Sequence, residues 1–560
     1  MAISINKNEE SDAGRSFGTR AARALRRRLE FGDALMPLYL VVFVRQYLWT
    51  VGDARAAWLL ASAVAALLWP LLLYLKDEDE ARTPWQFWAA VALPLLGVYA
   101  MRAAIPDTSY DVLNYRLVSA ERALRGWPFV GGDFFPPFYP LNPAPDMLLG
   151  VARHLLGYRL GTSLNLLALV WTGTVLDRML RRYVPGVWPR SLAVLLTLWT
   201  EHALFLVNTY LVDLLALPLL LEATHLALRA AERGAGRRLV RIALLVGMSC
   251  GLKILNLAYA IPVAVVYLHA WLSGGDESRR GEVFRFAPLA AVAFLSPLAP
   301  YSLYMIRETG NPVFPLYNAV FKSPYWPQTN LYDGRWGPRS PVEMILWPLR
   351  VAFNTERTGE LAVYSGRISL AVVAAVLCLL VARRDRGLRA LSLATLAGAL
   401  LWSATLTGYA RYGLFVEMLG GVTVAGFAAL LLSSRPALPV GRRAALGVAV
   451  VLLLASAAQV ARASGYVMRY EWAMRPTVFG DARGYAAEAR FLLRDYDLKK
   501  FFAEAEARRL TGVGAWVEAG PLTSGFESLL TPDAPVLCAY IPDYFSGSAG
   551  RERFDRALKE

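Results

Sequence analysis

Cysteine is almost missing. The chain holds three in 560 residues, Cys250, Cys378 and Cys538. Two of them, Cys250 and Cys378, lie inside apolar runs, so neither a disulfide framework nor a cysteine metal site is expected. Histidine is equally scarce: His154, His202, His225 and His269 are scattered, without the spacing of metal ligands. No Walker-type phosphate loop, dinucleotide fingerprint or Gly-x-Ser-x-Gly elbow occurs, which argues against an ATP-driven pump and against a Ser–His–Asp hydrolase. There is no internal repeat. The first thirty residues are polar and basic without an early apolar core, so no cleavable signal peptide is expected.

What is present is apolar. Hydrophobic residues make up 56% of the chain and recur in runs near twenty residues long, the length that crosses a bilayer as a helix. A soluble enzyme does not fit. The net charge of +15 does not signal nucleic acid, because the arginines collect in short connectors and there orient helices. Arg20, Arg23, Arg26, Arg27 and Arg28 place the N-terminus, residues 1–32, in the cytoplasm.

Runs near 33–52, 56–75, 84–104, 161–180, 191–209, 211–230, 286–306, 368–382, 389–406, 412–432 and 444–462 read as crossings. Residues 241–272 read as two short ones, broken near Gly251–Asn256, because one long helix would put the later basic loops on the wrong side. The expected fold is an all-α polytopic membrane bundle of about thirteen helices over 33–463. A small outer α/β domain is expected over 464–560, with a helical stretch Gly484–Leu510 and strand-like GVGAWVEA and APVLCAYI. Arg45, inside the first run, is expected to face other helices or to snorkel.

Two outer connections are long. Residues 307–367 begin as a loop rich in proline, asparagine and aromatics. Residues 105–160 carry Asp107, Asp111, Asp133 and Asp146. In that first connection Tyr110, Leu113, Leu117, Ala120 and Leu124 form one stripe at helical spacing, which predicts a surface helix over Ser109–Arg125. A second amphipathic run covers Ala144–Leu160. Asp107 and Asp111 are four apart and share a face; Asp107 is equally well explained as a helix cap. Connections of this length and character are more often functional than idle.

Asp213 sits in NTYLVDL at the outer start of a helix, and Lys253 sits at a helix break. Each is costly in a membrane without a partner or a role. Lys322, Arg335 and Arg411 lie near the same level. Carboxylates above and cations at the interface suit one reaction type: a general base takes a proton from an acceptor hydroxyl while cations hold a phosphate leaving group.

The arrangement resembles the GT-C class of membrane glycosyltransferases, the group that contains the protein O-mannosyltransferases and the lipid A aminoarabinose transferase. DVLNY (Asp111–Tyr115) looks like the family's catalytic aspartate followed by a tyrosine. FPPFYPLNP looks like the exit of its first loop. GLKIL around Lys253 and ARY at Arg411 and Tyr412 look like its positions near the carrier phosphate. Two crossings precede the family's usual first helix, and Arg116 stands where related sequences often have histidine.

The resemblance implies an inverting transferase that moves a sugar from a polyprenyl-phosphate carrier to a periplasmic glycolipid, polysaccharide or protein. It would lie in a bacterial inner membrane with its site facing the periplasm. Asp111 is the expected base, with Asp107 second. Lys253, Arg411, Tyr412, Asp213, Tyr115 and Asp146 are the expected substrate-binding residues. No cofactor is required by this chemistry, though the acidic loop offers a place for a divalent metal. A ligase or polymerase using a diphosphate carrier, or a lipid or sugar transporter, are the alternatives.

Overall fold

A computed structural model describes residues 29–477 apart from 75–82, 104–106, 108–110, 113–115, 117–118, 121–122, 125, 127–140, 233, 274–276, 326, 331–333, 354–355, 360–365, 383 and 434–440. Asp133, Tyr115, the basic stretch before residue 29 and nearly all of the expected C-terminal α/β domain lie outside the described residues. Among the described residues every regular element is a helix.

The first helices are α1 (Phe31–Tyr47) and α2 (Ala54–Tyr74). A rod, α3, runs from Trp85–Phe87 through a π turn, Trp88–Ala92, into Leu93–Ala103. After the connection expected to be the first outer one come α4 (Ala144–Gly161), α5 (Ser163–Leu180), α6 (Val187–Leu198) and the short α7 (Glu201–Leu206). Then follow α8 (Asp213–Leu228), α9 (Ala235–Leu252), α10 (Ile254–Leu272), α11 (Glu277–Leu295) and α12 (Ala299–Thr309). The second outer connection holds α13 (Pro341–Arg350). The chain returns as α14 (Arg367–Val381), α15 (Arg386–Thr405), α16 (Ala410–Leu432) and α17 (Arg442–Thr477).

Among the described residues, five helices, α2, α10, α15, α16 and α17, are by length and composition able to cross a membrane; a sixth span forms if the bent α11–α12 pair counts as one. The chain is a multi-pass helical membrane protein. The break expected near Gly251–Asn256 is present: α9 ends at Leu252, Lys253 is extended, and α10 begins at Ile254 with a 3-10 turn. The expected single crossing near 286–306 is instead bent by 58° between α11 and α12. Pro297 and Pro300 lie at the bend, where they remove backbone donors and force a kink. The helix before the C-terminal region also runs further than expected, to Thr477.

The helix α8 is the post around which the others stand. Every residue in it except His225 and Leu228 is buried, as expected of a helix that is apolar all round. It packs against α5, α9 and α10. Two acidic residues interrupt its apolar surface, and each meets cations. Glu222, toward one end, pairs with Arg178 of α5, and Arg241 of α9 lies 4.0 Å from it. Asp213 stands at the other end. Close packing continues outward: a side chain at Gly247 of α9 would run into the Phe294 carbonyl of α11. At the periphery, α2 and α17 have only 22% of their spans buried, against 78% for α16. Leu59, Leu67 and Leu71 of α2 and Val450, Val451 and Leu454 of α17 are exposed, which suits contact with lipid chains.

The second outer connection is anchored to the turn that precedes α16. Gly337 adopts φ 76° and lies so close to this turn that a Cβ would collide with the Thr407 carbonyl oxygen. Its N–H donates to the Arg357 carbonyl at 2.8 Å. Gly337→Ala is expected to lower stability by at least about 2 kcal/mol, from left-handed strain and overpacking together. Thermal unfolding of the purified protein in detergent measures this, and a melting temperature within a degree of wild type would contradict it.

Candidate active site

The site forms where four segments end together. The first is the turn before α16. Thr407 and Gly408 both take positive φ, 56° and 59°, which reverses the chain after α15. Two fully buried indoles hold the reversal: Trp347 Nε1 donates to the Gly408 carbonyl at 3.0 Å, and Trp402 Nε1 donates to the Tyr409 carbonyl at 2.8 Å. The Ala410 N–H donates to Thr358 at 2.7 Å. Arg411 and Tyr412 follow immediately, so their positions are set by buried, fully used hydrogen bonds.

The second segment is the break at Lys253. Its freed polar groups are compensated locally: Asn256 Nδ2 donates to Ser249 Oγ at 2.9 Å, and Ser249 Oγ donates to the Ala216 carbonyl of α8 at 3.0 Å. The third is the turn 207–212, which delivers Asp213. Asn165 Nδ2 donates to the carbonyls of Thr209 and Leu211, at 2.7 and 2.8 Å. Arg102, at the end of α3, donates through Nε to Asn208 Oδ1 at 2.8 Å. The fourth is the start of the first outer connection, with Asp107 and Asp111.

Five of the expected residues meet. Lys253 Nζ bonds Asp213 Oδ1 and stands 4.0 Å from the centre of the Tyr412 ring. Both terminal nitrogens of Arg411 donate to one oxygen, Asp111 Oδ2, at 3.2 and 3.1 Å, while Arg411 Nε lies 3.9 Å from Asp213 Oδ1. The guanidinium also faces the Tyr409 and Tyr412 rings, 5.2 and 5.6 Å from their centres. Two carboxylates and two cations are thus interleaved around Tyr412, with side chains 5% exposed at Asp213, 13% at Lys253, 16% at Arg411 and 23% at Asp111.

The other expected residues are placed differently. Asp107 is buried and accepts from the Tyr210 N–H at 2.7 Å. It ties the first outer connection to the turn that carries Asp213, a role beyond the cap of its own helix that its sequence position offered. Asp146, on α4, pairs with Arg116 at 3.1 Å, one step from the central cluster. Tyr115 lies outside the described residues. Lys322 is exposed. Arg335 lies over the Trp336 ring at 5.4 Å, and that ring stands 6.0 Å from Tyr409. Among the described residues no three of His, Cys, Asp and Glu converge as a metal ion would require.

Sequence reasoning missed three contributors. Tyr409 stacks beside Arg411, and Tyr259 donates to the Tyr412 carbonyl. Arg116 was noted only as a departure, yet it neutralises Asp146. For Tyr409 a signal existed, since GYARY puts two tyrosines around one arginine. Tyr259 carried none, because its use depends on the 3-10 turn after Lys253.

Asp146 is under opposed pressures. Burial pushes its carboxyl above the usual aspartate range, and the Arg116 charge and hydrogen bond pull it back. A raised folded-state value means that the stability contribution is present at low pH and is lost as pH rises through that value. Arg116→Met would leave the carboxylate buried and unpaired, at a cost of about 3 kcal/mol near neutral pH. The loss should shrink as pH is lowered from neutral into the acid range, because protonation of Asp146 removes the buried charge. Melting temperatures of variant and wild type across this range test the sign; a difference that grows with acid would refute it.

No family model matches the chain, and no curated protein matches it. Solved structures similar to it include two of one protein. One is ArnT from Cupriavidus metallidurans bound to undecaprenyl phosphate, with 14% identity, a TM-score of 0.44 and 73% of each chain covered. The other is ArnT from the same organism in the apo state, with 15% identity, a TM-score of 0.42, and 76% of this chain and 80% of that chain covered.

Proposed function

We propose that this chain is an inverting glycosyltransferase that moves a sugar from a polyprenyl-phosphate carrier to a periplasmic acceptor. It would sit in a bacterial inner membrane with about thirteen crossings, residues 105–160, 307–367 and 464–560 facing the periplasm. The observation that carries the reading is the interleaved set of Asp111, Arg411, Asp213 and Lys253 around Tyr412, formed where Lys253 breaks a helix and Arg411 opens one. A transporter needs cations and a break; it does not need a partly exposed carboxylate held beside a phosphate-binding arginine.

In this reading Lys253 and Arg411 hold the carrier phosphate. Asp111 accepts the proton of the acceptor hydroxyl as its oxygen forms a bond to the anomeric carbon. The bond from that carbon to the phosphate oxygen breaks on the opposite face, so the configuration inverts and the electron pair leaves with the phosphate. Asp213 keeps the two cations apart and in register. Tyr412 lines the same space with its ring. No step needs a metal.

Asp111→Asn keeps shape and hydrogen bonding but cannot accept the proton, so turnover should fall by roughly 100-fold or more while the protein stays folded. Asp107→Asn should reduce turnover less, because the amide oxygen can still accept from Tyr210. Sugar transfer from a purified polyprenyl-phosphate donor to a membrane extract is the assay. Inactive Asp107→Asn with active Asp111→Asn would move the base to Asp107. Full activity in both would leave the transporter reading in place, and a requirement for a diphosphate carrier would favour the ligase reading.

A further inference from the structure

The resting site is already charge-balanced: Arg411 and Lys253 supply two positive charges, Asp111 and Asp213 two negative ones. A phosphate that binds the two cations must therefore compete with a carboxylate for donors. The geometry decides which carboxylate yields. Asp213 belongs to the buried post α8, is only 5% exposed, bonds Lys253 directly and lies near Arg411 as well. Asp111 is held through a single oxygen that both Arg411 nitrogens share, and its side chain is 23% exposed. One oxygen taking two donors is the weaker form of an arginine–carboxylate contact, since the two-oxygen fork is what gives that pair its strength. Asp111 is also the group nearer to water, so it loses least on release.

We infer that the Asp111–Arg411 pair is a latch, opened when the carrier phosphate takes the Arg411 guanidinium from Asp111 and thereby frees Asp111 to act as the base. This deepens the reading above and rests on it. While Asp111 is paired with Arg411, the oxygen it would offer to a hydroxyl proton is already engaged by two guanidinium donors. Phosphate binding removes that hold at the moment the donor is in place. Catalytic competence is thus coupled to an occupied donor site, and an acceptor hydroxyl is not activated when no sugar is present.

The charges close over the cycle. With a phosphodiester donor bound, the four side chains and the ligand sum to one negative charge. Transfer moves the acceptor proton to Asp111 and leaves the carrier as a phosphomonoester dianion, so the sum is unchanged. When Asp111 returns its proton to water, its carboxylate competes again for Arg411 and helps to expel the spent carrier. The latch serves release as well as activation.

The test is the affinity of the full-length detergent-purified protein for undecaprenyl phosphate, a ligand that undergoes no transfer. Asp111→Asn should bind it about 10-fold tighter than wild type, equivalent to about 1.4 kcal/mol, because a competitor for Arg411 is gone. Arg411→Met should bind it more weakly. In an Arg411→Met background the gain from Asp111→Asn should vanish, since there is no latch left to open. Asp111→Ser serves as a second variant should the asparagine form fail to fold. Unchanged or weaker binding in both Asp111 variants, with binding still lost in Arg411→Met, overturns the latch and leaves the phosphate site standing. A gain that persists without Arg411 is a general charge effect and also overturns it. Binding unaffected by both Arg411→Met and Lys253→Met removes the phosphate site itself.

Discussion

A carboxylate at the end of a fully buried helix is the constraint on which this molecule turns. Asp213 begins α8, the post that packs against α5, α9 and α10. An isolated charge there would cost several kcal/mol even after relaxation. The chain meets that cost with two cations, and each cation has its own scaffold. A helix is broken to present Lys253, and Ser249 and Asn256 satisfy the broken end. A left-handed turn presents Arg411, and two indoles at full burial hold its carbonyls. Remove Asp213 and neither distortion has a reason to exist.

The first outer connection completes the set. Asp107 bonds the backbone of the turn that leads into Asp213. Asp111 meets Arg411 across 300 residues of sequence. The two aspartates are four residues apart in sequence but do different work. One fastens the connection to the bundle, and the other reaches the cation. Spacing alone could not separate them, because four residues would put both on one face of the expected helix; the difference lies in what the rest of the chain brings opposite each.

Much of the site was legible because charge in a membrane is so expensive. Asp213, Lys253 and Arg411 stood out individually for that reason, and the helix break followed from the charge bias of later loops. Their pairing was not legible, since it depends on how α8, α10 and α16 end together. Among the helices, the bend between α11 and α12 was signalled by Pro297 and Pro300 and was passed over in favour of one apolar run. The helix α13 carried a readable start as well. Ser340 accepts from the Glu343 N–H at 3.1 Å, and Glu343 accepts from the Arg339 N–H at 2.7 Å. That is a serine–glutamate cap three residues apart, hidden in a stretch that reads first as loop. The length of α17 was missed for the opposite reason: its apolar pattern stops while its helix-forming residues continue.

The balance of charges around Tyr412 has a consequence for selectivity. A pocket of two bare cations would fill with whatever anion the surrounding water supplies, and inorganic phosphate would act as a permanent inhibitor. A pocket whose cations are already engaged presents little net field to solution. A soluble anion at low concentration gains little by entering, because it must displace an internal partner to do so. A phosphate tethered to a membrane chain arrives differently. Confinement to the bilayer raises its local concentration far above that of a free ion at the same total amount. On the reading proposed above, internal neutrality would act as a filter on the route of delivery, admitting a headgroup carried in the plane of the membrane over the same chemical group in the aqueous phase.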